Sequence, residues 1–159
     1  MRRIALLAIV ASVASACSGA PYEDLRQRTS QPIPGTLSAS LEPPGDGAPR
    51  LDPRAAIRSA PLPSGTEVDV ALARVHDGLE GVDVGPAWVI VARGVCIRED
   101  KGELVSDARG AVPGDGLACT PATFLVVAID ATSGASLFTI TGYDESLRWR
   151  PDVAGDDAV

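Results

Sequence analysis

Chemistry in this chain would have to come from Cys17, Cys96, Cys119, His76 and a few carboxylates that stand close together. A cysteine nucleophile needs a base within hydrogen-bond reach. His76 is the sole histidine, and it falls at the end of an alternating run, beside a turn. A structural zinc site takes about four ligands, and neither a Cys-x-x-Cys spacing nor a histidine cluster occurs. Glu99, Asp100 and Glu103, then Asp144 and Glu145, are close enough for acid–base work. That work requires surroundings that drive two carboxylate pKa values apart. These residues stand in polar, glycine-flanked segments that would desolvate neither partner, so they read as a solvated face. Asp77, Glu80 and Asp83 suggest a calcium loop, but the EF-hand spacing of oxygen ligands and its closing Glu are missing. Neither a Gly-x-Ser-x-Gly elbow nor a P-loop occurs. The expectation is a chain with no catalytic residue, no bound metal and no cofactor.

The elements that would position these residues are short, β-branched runs bounded by Gly and Pro. Ala87-Trp88-Val89-Ile90-Val91-Ala92 is closed by Cys96, and Phe124-Leu125-Val126-Val127-Ala128-Ile129 follows Cys119. Asp130-Ala131-Thr132-Ser133-Gly134 then leads into Leu137-Phe138-Thr139-Ile140. This is a hairpin turn: the Asp side chain can bond its own backbone, and Gly134 can take the positive φ that a three-residue loop needs. From Gly65 to His76 the chain alternates, with Val68, Val70 and Leu72 on one side and Asp69, Ala71 and Ala73 on the other, as in a half-buried strand. Asp52-Pro53 reads as a helix start, an N-cap followed by Pro at the first position. The helix would run to Ala60, present Ala56, Ile57 and Ala60 to the core, and stop before Pro61.

The fold class expected is α+β. A short N-terminal helix packs on an antiparallel sheet of about four strands, near residues 66–76, 86–95, 123–130 and 135–141. Trp88, on an apolar strand, reads as a core anchor. Residues 97–118 read as a long polar loop, and Trp149 either lies back on the sheet or is exposed.

A chain of 159 residues suffices for one domain with a leader and a tether. The formal net charge of -7 repels a phosphate backbone, so nucleic acid is not an expected partner. Lys101 is the only lysine, and the abundance of Arg, Ala, Gly and Pro is what a GC-rich genome tends to encode. Met1 to Ala16 has the layout of an export signal: Arg2 and Arg3, an apolar run from Ile4 to Val13, then small residues. That run is too short to cross a bilayer, which takes roughly 20 residues. Removing the leader's two arginines takes -7 to about -9. Ser18 to Arg50 is rich in Pro, Gly, Ser and Gln without an apolar period, and Tyr22 and Leu25 are among its few apolar points. The expected organisation is a signal peptide over 1–16, a disordered tether over 17–50, a folded domain over 51–149 and a disordered acidic tail over 150–159.

Ala14-Ser15-Ala16-Cys17 resembles a bacterial lipobox, in which a small residue precedes the Cys that receives a diacylglycerol thioether. Family members most often carry Leu where Ala14 stands. The rival reading is an ordinary A-x-A cleavage that leaves Cys17 as a free N-terminal residue. If Cys17 carries lipid, Cys96 and Cys119 remain as one pair in an oxidising compartment, where a disulfide is expected. It would close a loop of about 24 residues, worth roughly 3 kcal/mol in the chain-entropy model.

Val126 to Gly134, followed by an apolar strand, resembles the closing hairpin of PepSY domains, small extracytoplasmic α+β modules also found in protease propeptides. Ala87-Trp88-Val89, Gly94-Val95-Cys96, Cys119 and Asp130 to Gly134 are similar to motifs of small uncharacterised (lipo)proteins of high-GC Gram-positive bacteria. PepSY hairpins usually place an acidic residue after the Gly, where this chain has Ala135-Ser136; this departure weakens any carry-over of protease inhibition. The resemblance implies a lipoprotein anchored on the extracytoplasmic face of the cell membrane, acting as a binding or regulatory module for a protein partner. The rival classes are a small hydrolase using the loop carboxylates and a purely structural envelope lipoprotein.

Overall fold

In chain order, a 3-10 turn at Glu23–Leu25 is followed by β1 (Gln31–Pro32), β2 (Ala39–Glu42), α1 (Pro53–Ser59), β3 (Glu67–Asp77) and β4 (Val82–Arg93). Then come β5 (Val95–Arg98), β6 (Glu103–Ser106), β7 (Cys119–Ala122), β8 (Phe124–Asp130) and β9 (Ser136–Gly142). The structure is a computed structural model that describes residues 22–63, 66–98, 103–106, 119–122, 124–142 and 149–154, with 96–98, 103–106 and 119–122 as backbone alone. The segment 1–16, expected to be a signal peptide, and Cys17 lie outside the described residues.

The apolar runs pair as neighbours in one antiparallel sheet of order β1-β2-β3-β4-β8-β9. Its central register sets Leu72 opposite Trp88 and Trp88 opposite Ile129. The Trp88 and Phe124 runs thus pair antiparallel across their long connection. The mixed α+β class holds, but the large sheet has six strands and not four. The two additional strands come from the segment expected to be a disordered tether. Ala39 and Leu41 alternate with Ser40 and Glu42, and the first two are buried. With Ile33, they cover Ala73 and Val75 of β3. Their burial also corrects the half-buried reading of β3, since Ala71 and Ala73 are fully buried.

Residues 150–154 of the expected tail are held against the fold. The amide of Arg28 donates to the Asp152 carbonyl at 2.9 Å, and Gln31 Nε2 donates to the Arg150 carbonyl at 2.7 Å. Each segment satisfies backbone groups that the other leaves open. Trp149 lies back on the sheet, 7% exposed, with its ring 6.0 Å from that of Phe124.

The Trp88 strand ends earlier than expected. Gly94 adopts a φ of 62°, which breaks the extended run, and Val95 opens a second antiparallel sheet of order β6-β5-β7. Part of the expected polar loop, Glu103–Ser106, is therefore strand.

The helix forms as its sequence dictates. The Asp52 carboxylate accepts the Ala55 amide at 2.9 Å, Pro53 takes the first turn, and the chain turns extended at Ala60 before Pro61. Ala56 and Ala60 are buried with Leu72, Trp88, Ile90, Val127 and Ile129 on one face of the sheet. The opposite face carries Val89, Val91, Val126 and Ala128, with Phe124 and Trp149.

Candidate functional site

The second apolar face is not wholly filled. A groove of about 660 Å³ opens on it, bounded by Thr36 to Ala39 on one side and Leu137 to Ile140 of β9 on the other. Val75 and Val84 also line it. Between β2 and β9 there are four strand spacings, roughly 19 Å on a flat sheet. Residues from both border one groove, so the sheet must bend toward this face.

A turn and a bulge build the groove. Between β8 and β9 the register passes from Ala128 opposite Phe138 to Ile129 opposite Ser136, leaving Leu137 as the extra residue. A bulge of this kind re-aims side chains, and the consecutive Leu137 and Phe138 both line the groove. On the far side, the carboxylate of Asp77 accepts the amides of Leu79 at 3.0 Å and Glu80 at 3.3 Å. The same oxygen takes the Ser38 hydroxyl in a short hydrogen bond. Asp77 thereby ties the tip of the β3–β4 hairpin to the start of β2. The Ser38 hydroxyl, then the two amides, hold this carboxyl below the usual aspartate range. The tie leaves two leucines standing out at the rim, Leu37 at 95% and Leu79 at 70% exposure.

The polar content of the groove is limited to hydroxyls and the carboxylates of Asp77 and Glu80, with neither histidine nor cysteine among the lining residues. Such a surface can hold apolar side chains and attract a positive charge.

Residues singled out from sequence fall elsewhere. His76 is exposed on β3, opposite Ser40. Asp77 organises a turn, and Asp83 lies 3.8 Å from Arg74. Glu99, Asp100, Asp144 and Glu145 lie outside the described residues, and Glu103 enters as backbone only. Cys96 stands opposite Pro121 and Cys119 opposite Arg98, so the two cysteines hold diagonal positions on neighbouring strands. Diagonal neighbours are about 7–8 Å apart, beyond the usual 4.4–6.8 Å span of bridged Cα atoms. The side chains of both cysteines lie outside the described residues.

The Asp130 turn forms as its residues imply. One carboxylate oxygen accepts the Ser133 amide at 2.6 Å, the Ser133 hydroxyl at 2.9 Å and the Thr132 amide at 2.9 Å. The Ser133 amide is the leading cause that lowers this carboxyl's pKa. Gly134 closes the turn with a φ of 78°.

The groove itself was missed in sequence. Its signals were weak ones: Leu37 and Leu79, isolated apolar residues in turn-rich segments. No protein-family model, curated protein or solved structure matches the chain.

Proposed function

We propose that the chain is an extracytoplasmic lipoprotein, anchored to the cell membrane through lipid on Cys17, and that its folded part is a binding module for a protein partner in the cell envelope. The anchor rests on Ala14-Ser15-Ala16-Cys17 behind a short apolar run. Among the described residues no helix is long and apolar enough to cross a membrane. The binding role rests on one observation: an apolar groove with Leu37 and Leu79 held out at its rim. Large side chains left in water around a cavity forgo the stabilisation of burial, and such patches commonly mark interaction sites. A disulfide between Cys96 and Cys119 belongs to the same reading. Its support is their placement on adjacent strands, and closing it requires the strands to shift toward direct opposition.

A photo-crosslinking residue at position 37 in native cells tests the module. A discrete protein adduct, missing when the same crosslinker replaces Arg54 on the helix, is expected. Absence of any adduct at 37 or 79 while the protein stays membrane-bound leaves only a structural role. Cys17→Ser should move the protein out of the membrane fraction, and an unmodified Cys17 in the intact mass of membrane-derived protein refutes the anchor. Alkylation of the unfolded, unreduced protein should find neither Cys96 nor Cys119 free.

A further inference from the structure

The two edges of the six-stranded sheet are unlike. At one edge, β1 is two residues long and ends in Pro32, which has no amide to donate. Arg150 and Asp152 close over it through Gln31. The opposite edge is β9, seven residues reading Ser-Leu-Phe-Thr-Ile-Thr-Gly, with neither a charge nor a proline. Among the described residues no strand pairs with its outer side. Sheets ordinarily protect such an edge with Lys, Pro, a short strand or a covering element. The bulge at Leu137 disturbs the start of β9 and leaves Phe138 to Gly142 in regular register.

The groove lies along this same edge. Leu137, Phe138, Thr139 and Ile140 all line it. Three of the four, Leu137, Phe138 and Ile140, pack with the second apolar face, so a segment added at the free edge of β9 would lie next to the cavity. We propose that β9 receives an extended peptide segment of a partner protein, which joins the sheet as a seventh strand and sets alternate apolar side chains into the groove. This deepens the binding-module reading and rests on it. Main-chain hydrogen bonds to a strand edge supply affinity, and pockets for alternate side chains supply selectivity.

Charge decides the occupant. Asp77 and Glu80 stand on the groove, and the chain carries a net charge of -7. A segment with basic side chains between its apolar ones is drawn to this field, and an acidic one is repelled. A second copy of the chain would bring the same charge and the same acidic rim to the contact.

The test uses the full chain in phosphatidylcholine nanodiscs, with empty nanodiscs as blank, and three labelled, capped heptapeptides. One alternates valine with arginine, one alternates valine with glutamate, and one is the arginine peptide with proline at its centre. Fluorescence anisotropy should show the arginine peptide binding at least tenfold tighter than either other. Leu37→Ser with Leu79→Ser, both surface changes, should weaken it at least fivefold at an unchanged melting temperature. Hydrogen exchange at those amides between Phe138 and Thr141 that do not bond to β8 should slow at least tenfold on saturation. Equal binding of the glutamate peptide, binding without slowed exchange in β9, or no binding overturns the proposal. Slowed exchange in β9 that follows protein concentration without peptide also overturns it and makes a second copy the occupant. The cellular crosslink at position 37 separates the two levels: if it persists while the peptide test fails, the module stands and strand addition falls.

Discussion

The indole nitrogen of Trp88 donates to the carbonyl oxygen of Leu51 at 2.7 Å. Leu51 immediately precedes Asp52, the residue that caps α1. The bond therefore fixes the start of the helix to the centre of the sheet, where Trp88 is fully buried and Tyr22 meets its ring edge-on at 6.2 Å. A helix of seven residues would not persist alone, so this attachment and the burial of Ala56 and Ala60 carry it.

Trp88→Phe keeps an aromatic ring and removes the donor. Leaving a part-buried carbonyl without its partner costs about 1 kcal/mol. The urea midpoint should fall accordingly with an unchanged slope, and a midpoint that does not move shows that Leu51 is satisfied by other means.

Gly134→Val should destabilise by about 1–2 kcal/mol, the cost of forcing a Cβ into the left-handed region. The space itself is tolerant: a Cβ there would meet Leu51 Cδ2 at 3.6 Å, ordinary contact. The penalty is conformational, so Gly134→Asn should recover much of the loss in the same denaturation experiment.

Gly142 offers the opposite case. It pairs with Phe124 across β8 and β9, and a Cβ would run into the Phe124 ring. Gly142→Ala should cost about 1–3 kcal/mol through overpacking. Adding Phe124→Leu should restore part of it, seen as a non-additive double-mutant cycle. Strict additivity of the two changes would falsify the steric account.

Acid should loosen both turns. The Asp77 and Asp130 carboxyls are lowered in the folded state from a value of 3.8 by donors that hold the ionised form. The folded protein thus takes up these protons less readily than the unfolded chain. The contribution is fully present above about pH 4 and drains away as pH falls through the lower, folded values. Denaturation midpoints at pH 7, 4 and 3 should decline most over the last step, and more steeply in the wild type than in Asp130→Ala. Parallel declines in the two proteins would remove Asp130 from the account.

Sequence made the centre of the fold legible because its signals are local. The Asp52-Pro53 cap, the Asp130 to Gly134 turn and the apolar runs of β4 and β8 each announce themselves within about ten residues. The edges were illegible because their stability is borrowed. Ile33, Ala39 and Leu41 sit among prolines, and only the uncovered side of β3 gives them somewhere to go. Arg150 to Val153 has no periodic pattern, and it is held by groups on Arg28, Thr29 and Gln31. The candidate groove suffered twice, since it needs both the bend of the sheet and the hydrogen bonds of Asp77 to exist.

The hydroxyl of Thr29 reaches the Asp152 carboxylate at 2.7 Å across 123 positions of chain, and Gln27 forms a β-bridge with Val153. Closing so long a loop is an entropic expense met late, after nearer contacts have formed. During synthesis the β1 edge must wait until the residues around Val153 have emerged. The central hairpins, Glu67 to Arg93 and Phe124 to Gly142, hold only short-range pairings within themselves and have no such wait. Loop-closure entropy thus predicts assembly from the middle outward, with the seam between the two outer segments the last to be sewn and the first to fray.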